Sequence, residues 1–476
     1  MAEMVILLPN ELKSVGEEVQ RLVEFVERTR RAAPDGRAVD YLAVEDEVGA
    51  AVAAVERACH RVTLEALDVD QPEVIVDGGR CRRVLRSMAT YYTMAGPVEV
   101  TRSLYRRVGE RNGPVLDPVG LRVGMVGDGW LPRVARAMAH EVQDRPSRSA
   151  ESSAREFGRL PYSRTSFEEV AHAVGTLYVP RHADIEDALI AGYRVPAEAH
   201  SVSISLDRVS VPMEEPRPRP VGRPRKGAPK RPIQRVFHMA YCGTVTLHDR
   251  RGEALHTIRY GRMPDGDPRQ LCAGMAGDVW ALFQKRPDLH VSLLCDGAPE
   301  MWNLLAEQFT AEKLGVEPHR LVDLWHLLEK LGHAAAVLHT DAAAATTAQV
   351  KAWRLRLLNT SGAAAEILSQ LRFSDREHVS VGGERPVHDA ITYLENHGDK
   401  MDYATARRQG LPVGSGNVEA TCKNLFEVRL KRSGARWKGP TGEHVVQLRA
   451  LALSDRWYQA MDLTLRPLRK AVRAAA

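Results

Sequence analysis

Residues 201–211 read SVSISLDRVSV, and residues 289–297 read LHVSLLCDG. The alternation in the first stretch predicts a β-strand with an acidic residue, Asp207, inside the run. The second stretch is typical of a buried strand and ends on Asp296 before a glycine. One such aspartate is commonly a cap or turn residue, although a carboxylate among Val, Ile and Leu is costly unless it is paired or binds a metal. Two of them favour a metal site, because strand ends line the functional crevice of open α/β sheets.

The order of elements around these strands predicts the fold class. Further strands are expected over 236–247, 254–260 and 320–323, and helices over 268–285 and 298–310. Three strands followed by helix, strand, helix and strand resemble a ribonuclease-H-like core. We therefore expect an α/β protein with a ribonuclease-H-like mixed sheet, and the Ala-rich stretch from 324 to about 430 is expected to be helical.

The residues before this core predict a helical and β-ribbon N-terminal region. Helical periodicity covers 10–33 and 38–68, and antiparallel strands are expected between 72 and 108. Two helices broken near Gly158 have the outline of a helix-turn-helix DNA reader, although any helical hairpin shares that outline. The predicted regions are 1–70 (helical), 71–115 (β), 116–200 (helical, DNA-binding), 201–323 (catalytic core), 324–410 (helical) and 411–476 (C-terminal helices completing the core).

Composition excludes several classes of protein. The chain has 476 residues, 44% of them hydrophobic and 27% charged, which is an ordinary globular composition. A formal charge of +5 does not by itself indicate nucleic-acid binding. The six cysteines form no C-x-x-C pair, which argues against thioredoxin-like chemistry and zinc ribbons. No signal peptide or membrane span is recognisable, so a cytoplasmic protein without a membrane partner is expected.

A third carboxylate is needed if two divalent ions are to be held for phosphoryl transfer. Residues 414–423, GSGNVEATCK, predict a turn followed by a helix with Glu419 in its first turn. Glu427 is the rival, eight residues on and roughly 80° round the helix. Carboxylates are the hard oxygen ligands that Mg²⁺ prefers, and Mn²⁺ is expected to substitute.

Two basic segments bear on the partner. Residues 217–235 contain eight Arg or Lys and no acid, and their centre looks like an AT-hook, with a solvated loop as the alternative. Residues 423–438 carry six basic residues and one acid, so both segments together predict a phosphate-binding rim. The candidate DNA-binding residues are Arg223, Arg225 and Lys226 in the first segment, and Lys423, Arg429, Lys431, Arg432, Arg436 and Trp437 (for stacking) in the second.

Four signatures resemble a known family. They are SISLDRVSVPM, LLCDGAPEMWN, DLWHLLEKL and GSGNVEATCKNL followed by RLKRSGARWK. In this order they are similar to bacterial insertion-sequence DDE transposases, particularly the IS-Kra group. The resemblance implies Asp207, Asp296 and Glu419 as a metal-binding catalytic triad, with a large helical insertion between the last two. Relatives often carry paired cysteines near the N-terminus, whereas Cys81 is alone, so no metal is expected there.

The resemblance also implies an activity and partners. The expected reaction is metal-dependent cleavage of DNA at the element ends and transfer of the cut strand into target DNA. The partners would be double-stranded DNA, both terminal inverted repeats and target, and a second copy of the chain. A catalytically inactive, domesticated DNA-binding protein and a structure-selective nuclease on the same core are the alternatives.

His326 is a further candidate. In the related Mutator-like elements a Cys/Asp-x-x-His pair follows the second aspartate, and Asp323 with His326 fits that spacing. A neutral imidazole there would donate to a phosphate oxygen. The alternative is that Asp323 caps a helix and His326 packs.

Overall fold

The structure is a computed structural model that describes residues 7–32, 36–215, 227, 234–340 and 342–475. The described strands are β1 (Glu73–Val76), β2 (Gly79–Thr93), β3 (Gly96–Arg107), β4 (Ser201–Met213), β5 (Val236–His248), β6 (Ala254–Arg262), β7 (His290–Cys295), β8 (His319–Val322) and β9 (Val472–Ala474). The described helices are α1 (Lys13–Ala32), α2 (Tyr41–Ala66), α3 (Pro118–Val123), α4 (Pro132–Asp144), α5 (Ser147–Glu156), α6 (Arg164–Tyr178), α7 (His182–Gly192), α8 (Pro268–Lys285), α9 (Pro299–Gln308), α10 (Ala311–Leu314), α11 (Leu324–Leu338), α12 (Ala343–Asn359), α13 (Ala363–Phe373), α14 (Pro386–His397), α15 (Tyr403–Arg408), α16 (Gly416–Cys422), α17 (Val428–Leu430), α18 (Gly439–Leu453) and α19 (Trp457–Leu465). Within these residues no helix is both long and apolar enough to cross a membrane.

Two compact units divide the chain. The first comprises Met1–Pro180 and Met461–Ala476, and the second comprises Arg181–Ala460. In the first unit a sheet of order β3-β2-β1-β9 is antiparallel throughout. The β1–β2 turn consists of Asp77 and Gly78, both with positive φ, which is the conformation that a two-residue hairpin turn requires. The antiparallel strands predicted between 72 and 108 are therefore confirmed.

Two helices of the first unit begin at residues whose side chains cap them. Asp117 accepts the N–H of Gly120 at the start of α3, and Ser163 accepts the N–H of Ser166 at the start of α6. Helices α5 and α6 pack against each other and are separated by the predicted break. The helical hairpin is thus confirmed, and DNA contact by it stays a prediction.

The second unit is built on a mixed five-stranded sheet of order β6-β5-β4-β7-β8. Strands β4, β5 and β6 are antiparallel, whereas β7 and β8 run parallel to β4. The predicted succession of strands and helices from 201 to 323 is confirmed. Because β4, β7 and β8 are parallel, β7 and β8 end at one edge of the sheet, and β4 continues past that level to Met213.

Side chains on the two faces of this sheet enter two hydrophobic clusters. Ile204 and Leu206 of β4 pack with helices α8, α9 and α11–α14, whereas Val209 and Val211 pack with α16 and α18. The β4 residues in the first cluster stand at even positions and those in the second at odd positions. This is expected because successive side chains of a strand point to opposite faces of the sheet. The helices between β8 and α16 therefore share the first cluster with the sheet, consistent with the helical stretch predicted for 324–410.

The contacts divide the chain differently from the regions predicted by sequence. Helix α7 was placed with the N-terminal helices, but it packs on α8 in the second unit. Residues 461–476 were expected to complete the core as helices, but they belong to the first unit and end in β9. The sequence at 470–475 is Ala-rich and reads as helix, but pairing with β1 makes Val472–Ala474 a strand, with Val472 buried.

Candidate active site

Asp207 and Asp296 lie at the same level of two adjacent parallel strands. Ile204 of β4 is in register with Leu293 of β7. Asp207 lies three residues after Ile204, and Asp296 lies three residues after Leu293. Asp207 Oδ1 accepts the N–H of Arg208 at 2.6 Å, and Asp296 Oδ1 accepts the N–H of Ala298 at 3.0 Å. The sheet thus brings together the two aspartates that the sequence singled out.

A third aspartate, Asp323, ends the next strand at the same level. Cys295 is in register with Val322, and Cys295 O accepts the N–H of Asp323 at 2.9 Å. The carboxylate is fully buried and caps α11, with Oδ1 accepting the N–H groups of Trp325 (2.6 Å) and His326 (3.0 Å). Its Oδ2 accepts the N–H of Ser415. The capping alternative for Asp323 is therefore correct.

Glu419 comes from late in the sequence of the second unit, and its helix packs at this edge of the sheet. It lies in the first turn of α16, as predicted, and α16 packs on β4 and β5. One turn later Cys422 Sγ donates to Asp207 Oδ2 at 3.3 Å. The Glu419 side chain is half exposed, and its Oε1 lies 3.9 Å from His326 Nδ1 and 3.3 Å from Ser415 Oγ.

Glu427, the rival third carboxylate, lies in a different environment. It ends a π-helical turn, Lys423–Glu427, and its Oε1 accepts a hydrogen bond from Lys431 Nζ at 2.8 Å. Of the two glutamates, Glu419 contacts His326, and His326 also pairs with Asp323. The geometry therefore favours Glu419.

The electrostatics of the aspartates fit a cation. Burial raises the pKa of Asp207, and the nearby charge of Asp296 raises it further, against lowering hydrogen bonds from Arg208 and Cys422. Among the residues that the structure describes, neither Asp207 nor Asp296 forms an ion pair. Ligand atoms of Asp323, His326 and Glu419 also lie within 4.8 Å of one another. Two half-buried carboxylates that repel each other are hard-oxygen ligands that suit a divalent cation, whereas the group of ligand atoms that the described residues bring within 4.8 Å contains Glu419 but neither of these aspartates.

His326 differs from the prediction in its charge. The hydrogen-bonding partner Asp323 raises the pKa of His326 to about 9, with Glu419 and Asp296 adding to the effect and burial opposing it. At 3.5 Å from Nδ1 to Asp323 Oδ1, the contact is an ion pair rather than a tight hydrogen bond. The prediction of a neutral imidazole is therefore wrong for this arrangement. Burial raises the pKa of Asp323, but hydrogen bonds from His326 and Ser415 outweigh it and lower that pKa to about 2.

A polar network beside the aspartates was not found by sequence reasoning. Arg208, which follows Asp207, pairs with Glu300, and Tyr241 Oη donates to the same carboxylate at 2.8 Å. Arg208 and Tyr241 face each other across β4 and β5. The sequence did not indicate that Arg208, Tyr241 and Glu300 meet, because Glu300 reaches the other two only through the turn after β7.

Tyr393 is a second residue that the sequence did not indicate. It lies on α14, and a Cβ added at Gly297 would lie 2.6 Å from its Cε2, so glycine after Asp296 allows the ring to approach. The Tyr393 hydroxyl is buried and has no hydrogen-bond partner among the described residues. Burial raises the pKa of Tyr393, as do the charges of Asp296 and Asp323. A donor without a partner therefore lies beside the candidate site.

The predicted DNA-binding residues fall into three groups. Arg223, Arg225 and Lys226 lie outside the described residues. Lys423 and Arg432 are exposed, whereas Lys431 pairs with Glu427 and Arg436 with Glu215. Lys431, Arg432 and Arg436 line a cavity of about 590 Å³ together with Arg235 and Phe237.

Arg429 and Trp437 form the third group and correct the prediction. Arg429 is 5% exposed, and its guanidinium lies 5.1 Å from the centre of the Trp437 ring. Trp437 Nε1 donates to Leu430 O at 3.1 Å, and its backbone pairs with Pro212 and Glu214. Because these side chains contact each other and the end of β4, we assign both to packing instead of DNA contact.

No family model and no curated protein matches the sequence. Among solved structures, a chain of the "Drosophila P element transposase strand transfer complex" matches at 13% identity, over 69% of this chain and 80% of that chain. Its TM-score is 0.23, so the likeness establishes neither a shared fold nor a shared function.

Proposed function

We propose that this chain is a DDE-type DNA transposase with a ribonuclease-H-like core, of the bacterial insertion-sequence kind. The observation that carries the proposal is the placement of Asp207 and Asp296 at one level of adjacent parallel strands, with Glu419 on a helix packed against β4, the strand of Asp207. The sheet order, with three antiparallel strands followed by two parallel ones, supports it. The four sequence signatures that resemble this family lie on these elements.

In this proposal Asp207, Asp296 and Glu419 hold Mg²⁺, or Mn²⁺ in its place. When bound, such ions supply Lewis-acid stabilisation of the attacking and leaving oxygens of an in-line displacement. Water attacks a phosphodiester at the element end, and the 3′-oxygen leaves as a hydroxyl. That hydroxyl then attacks a phosphodiester of the target DNA, and the target's own 3′-oxygen departs.

The surrounding side chains position the DNA. The His326 imidazolium, held by Asp323, presents a charged donor beside Glu419 that fits a non-bridging phosphate oxygen. Lys423 and Arg432 are exposed on the segment that follows Glu419 and would bind phosphates nearby. Two element ends must be brought together for transfer, so the active form in this proposal is a dimer.

A strand-transfer assay tests the proposal. The full chain is incubated with Mg²⁺ and labelled DNA that carries the genomic flanks of its own coding sequence, together with a supercoiled plasmid as target. Nicking at the flank ends and covalent joining to the plasmid are expected, and both should be lost in Asp296→Asn. Shifting of the DNA without cutting would identify a DNA-binding protein, and cutting of branched DNA without joining a nuclease; either result would overturn the transposase proposal.

A further inference from the structure

A groove of about 580 Å³ lies on the second unit beside the candidate active site. It is lined by residues 411–414, which lead into the helix of Glu419, by the start of that helix, by Trp325 and α12, and by the turn between β5 and β6. Trp325 lies between Asp323 and His326 in the chain. The groove therefore begins at the segments that carry the candidate catalytic residues, although none of those residues lines it.

Trp325 presents an aromatic surface to this groove. Its side chain is 57% exposed, which is unusual for a tryptophan at the start of a helix whose next turns are buried. A Cβ added at Gly414 would lie 3.1 Å from Trp325 Cδ1 and Nε1, so glycine lets the chain pass against the indole edge. The guanidinium of Arg354 lies 5.4 Å from the ring centre. The indole is thus held in place while much of its surface stays open.

The charge of the groove is positive. Arg251, Arg354 and Arg407 line it, against one acidic residue, Glu253. Among the described residues none of the three arginines forms an ion pair, whereas Arg356, two residues after Arg354, pairs with Glu366 at 3.7 Å. The Nε of Arg354 is buried without a hydrogen-bond partner. Guanidinium groups that no carboxylate neutralises are suited to phosphate.

We propose that this groove binds a single strand of DNA, with an unpaired base stacked on Trp325 and backbone phosphates bound by Arg251, Arg354 and Arg407. Stacking on an aromatic ring combined with a positive groove is the usual means of binding single strands without sequence preference. A space of this size accepts a nucleotide-sized ligand. The proposal rests on the proposed function, because a strand cut at the carboxylates has to continue past them.

The test measures DNA binding in EDTA, so that no cleavage enters the result. Fluorescence anisotropy follows a fluorescein-labelled 16-nucleotide oligo-dT, and separately the matching oligo-dA·oligo-dT duplex, bound to the full chain at several salt concentrations. Trp325→Ala should weaken single-strand binding roughly tenfold, while Trp325→Phe keeps most of the affinity. Arg354→Gln should lower the slope of log affinity against log salt by about 0.7. Arg356→Gln is the matched control on the same helix and should bind like wild type.

Thermal unfolding identifies a variant that does not fold, and Arg251→Gln then serves as the second variant. Wild-type binding by Trp325→Ala and Arg354→Gln would overturn the groove proposal. An equal loss of single-strand affinity in Arg356→Gln would also overturn it, because that loss would reflect net charge alone. An equal loss of duplex affinity in the groove variants would overturn it as well. Losses confined to the groove variants, in a protein that fails the strand-transfer assay, would support the groove while overturning the transposase function. Successful strand transfer by the wild type, with normal single-strand binding by the groove variants, would support the transposase function and overturn the groove proposal.

Discussion

The carboxylate of Asp323 accepts the backbone N–H of Ser415, which lies 92 residues later in the chain. Asp323 ends β8 beside Asp296, whereas Ser415 immediately precedes the helix of Glu419. This hydrogen bond therefore links two parts of the site. One is the sheet edge that holds Asp207 and Asp296, and the other is the start of the helix that carries Glu419, the third metal-ligand candidate. At the C-terminal end of the same helix Cys422 contacts Asp207.

Asp323→Ala should lower the free energy of unfolding by about 2–4 kcal/mol, because it leaves the N–H groups of Trp325, His326 and Ser415 without their acceptor. Cleavage should also slow, since the helix of Glu419 loses its attachment. Asp267 is the control: it caps α8 through the N–H of Arg269, so Asp267→Ala should cost about 1 kcal/mol without affecting cleavage. Denaturant unfolding and single-turnover cleavage measure both effects, and equal behaviour of the two variants would contradict the joining role.

Asp207→Asn, Asp296→Asn and Glu419→Gln should each abolish cleavage while leaving DNA binding nearly intact. In metal-free buffer Asp207→Asn should also raise the melting temperature, because it removes a carboxylate whose pKa is raised first by burial and further by the charge of Asp296. Mn²⁺ should stabilise the wild type and not this variant. Glu427→Gln, which loses only its pair with Lys431, should cleave normally. Normal cleavage by Glu419→Gln with inactive Glu427→Gln would reassign the third ligand.

His326→Gln should slow single-turnover cleavage on the order of 10²- to 10³-fold, because it removes a charged donor beside the reacting phosphate. DNA affinity should change little, and the melting temperature should fall only slightly at pH 7, because the half-exposed imidazolium loses its ion pair with Asp323. His333→Gln is the matched control, since His333 is exposed two turns further along α11. A His326 variant with the wild-type rate and a clearly reduced melting temperature would show that this histidine only packs.

Tyr393→Phe and Tyr403→Phe should have opposite effects. The Tyr393 hydroxyl has no partner in the described structure, so its removal should leave stability unchanged but slow cleavage about tenfold if it donates to the bound DNA. The Tyr403 hydroxyl donates to Val322 O at 3.0 Å, so its removal should cost about 1 kcal/mol without affecting the rate. Melting curves and single-turnover rates for both variants check this pair. A Tyr393→Phe variant that cleaves at the wild-type rate would exclude a role for the hydroxyl.

Stability should fall between pH 6.5 and pH 4 because of His248. Burial lowers the pKa of this residue to about 4, with the Gly252 carbonyl and Asp249 opposing the effect. Its Nδ1 donates to Gly252 O, and its Nε2 accepts from Ser203 Oγ at 2.8 Å, so the neutral ring is the form that fits. Since the folded pKa lies below the unfolded one, the contribution is complete above pH 6.5 and is lost as the pH falls through 4, by about 3 kcal/mol in total. His248→Gln should unfold more easily at pH 7 and show a flatter pH profile; parallel profiles would contradict this assignment.

Local sequence patterns were sufficient for most elements of the second unit. The alternation in 201–211 and the apolar run before Asp296 correctly located β4 and β7, because these signals depend on neighbours a few residues away. The position of Glu419 in a first helical turn was predictable for the same reason. Asp207 and Asp296 could be chosen as candidates, since an acid in or directly after an apolar strand is conspicuous without any knowledge of its partners.

Tertiary structure alone decided which of these groups meet. The contact of Glu419 with His326, the burial of Arg429 against Trp437 and the strand formed by Val472–Ala474 all depend on contacts between distant segments. The charge on His326 likewise follows from Asp323, Glu419 and Asp296 converging around one imidazole. Sequence periodicity reports which face of an element is apolar, but the distances that set ion pairs, pKa values and the exposure of Trp325 exist only after parallel strands and packed helices bring those faces together.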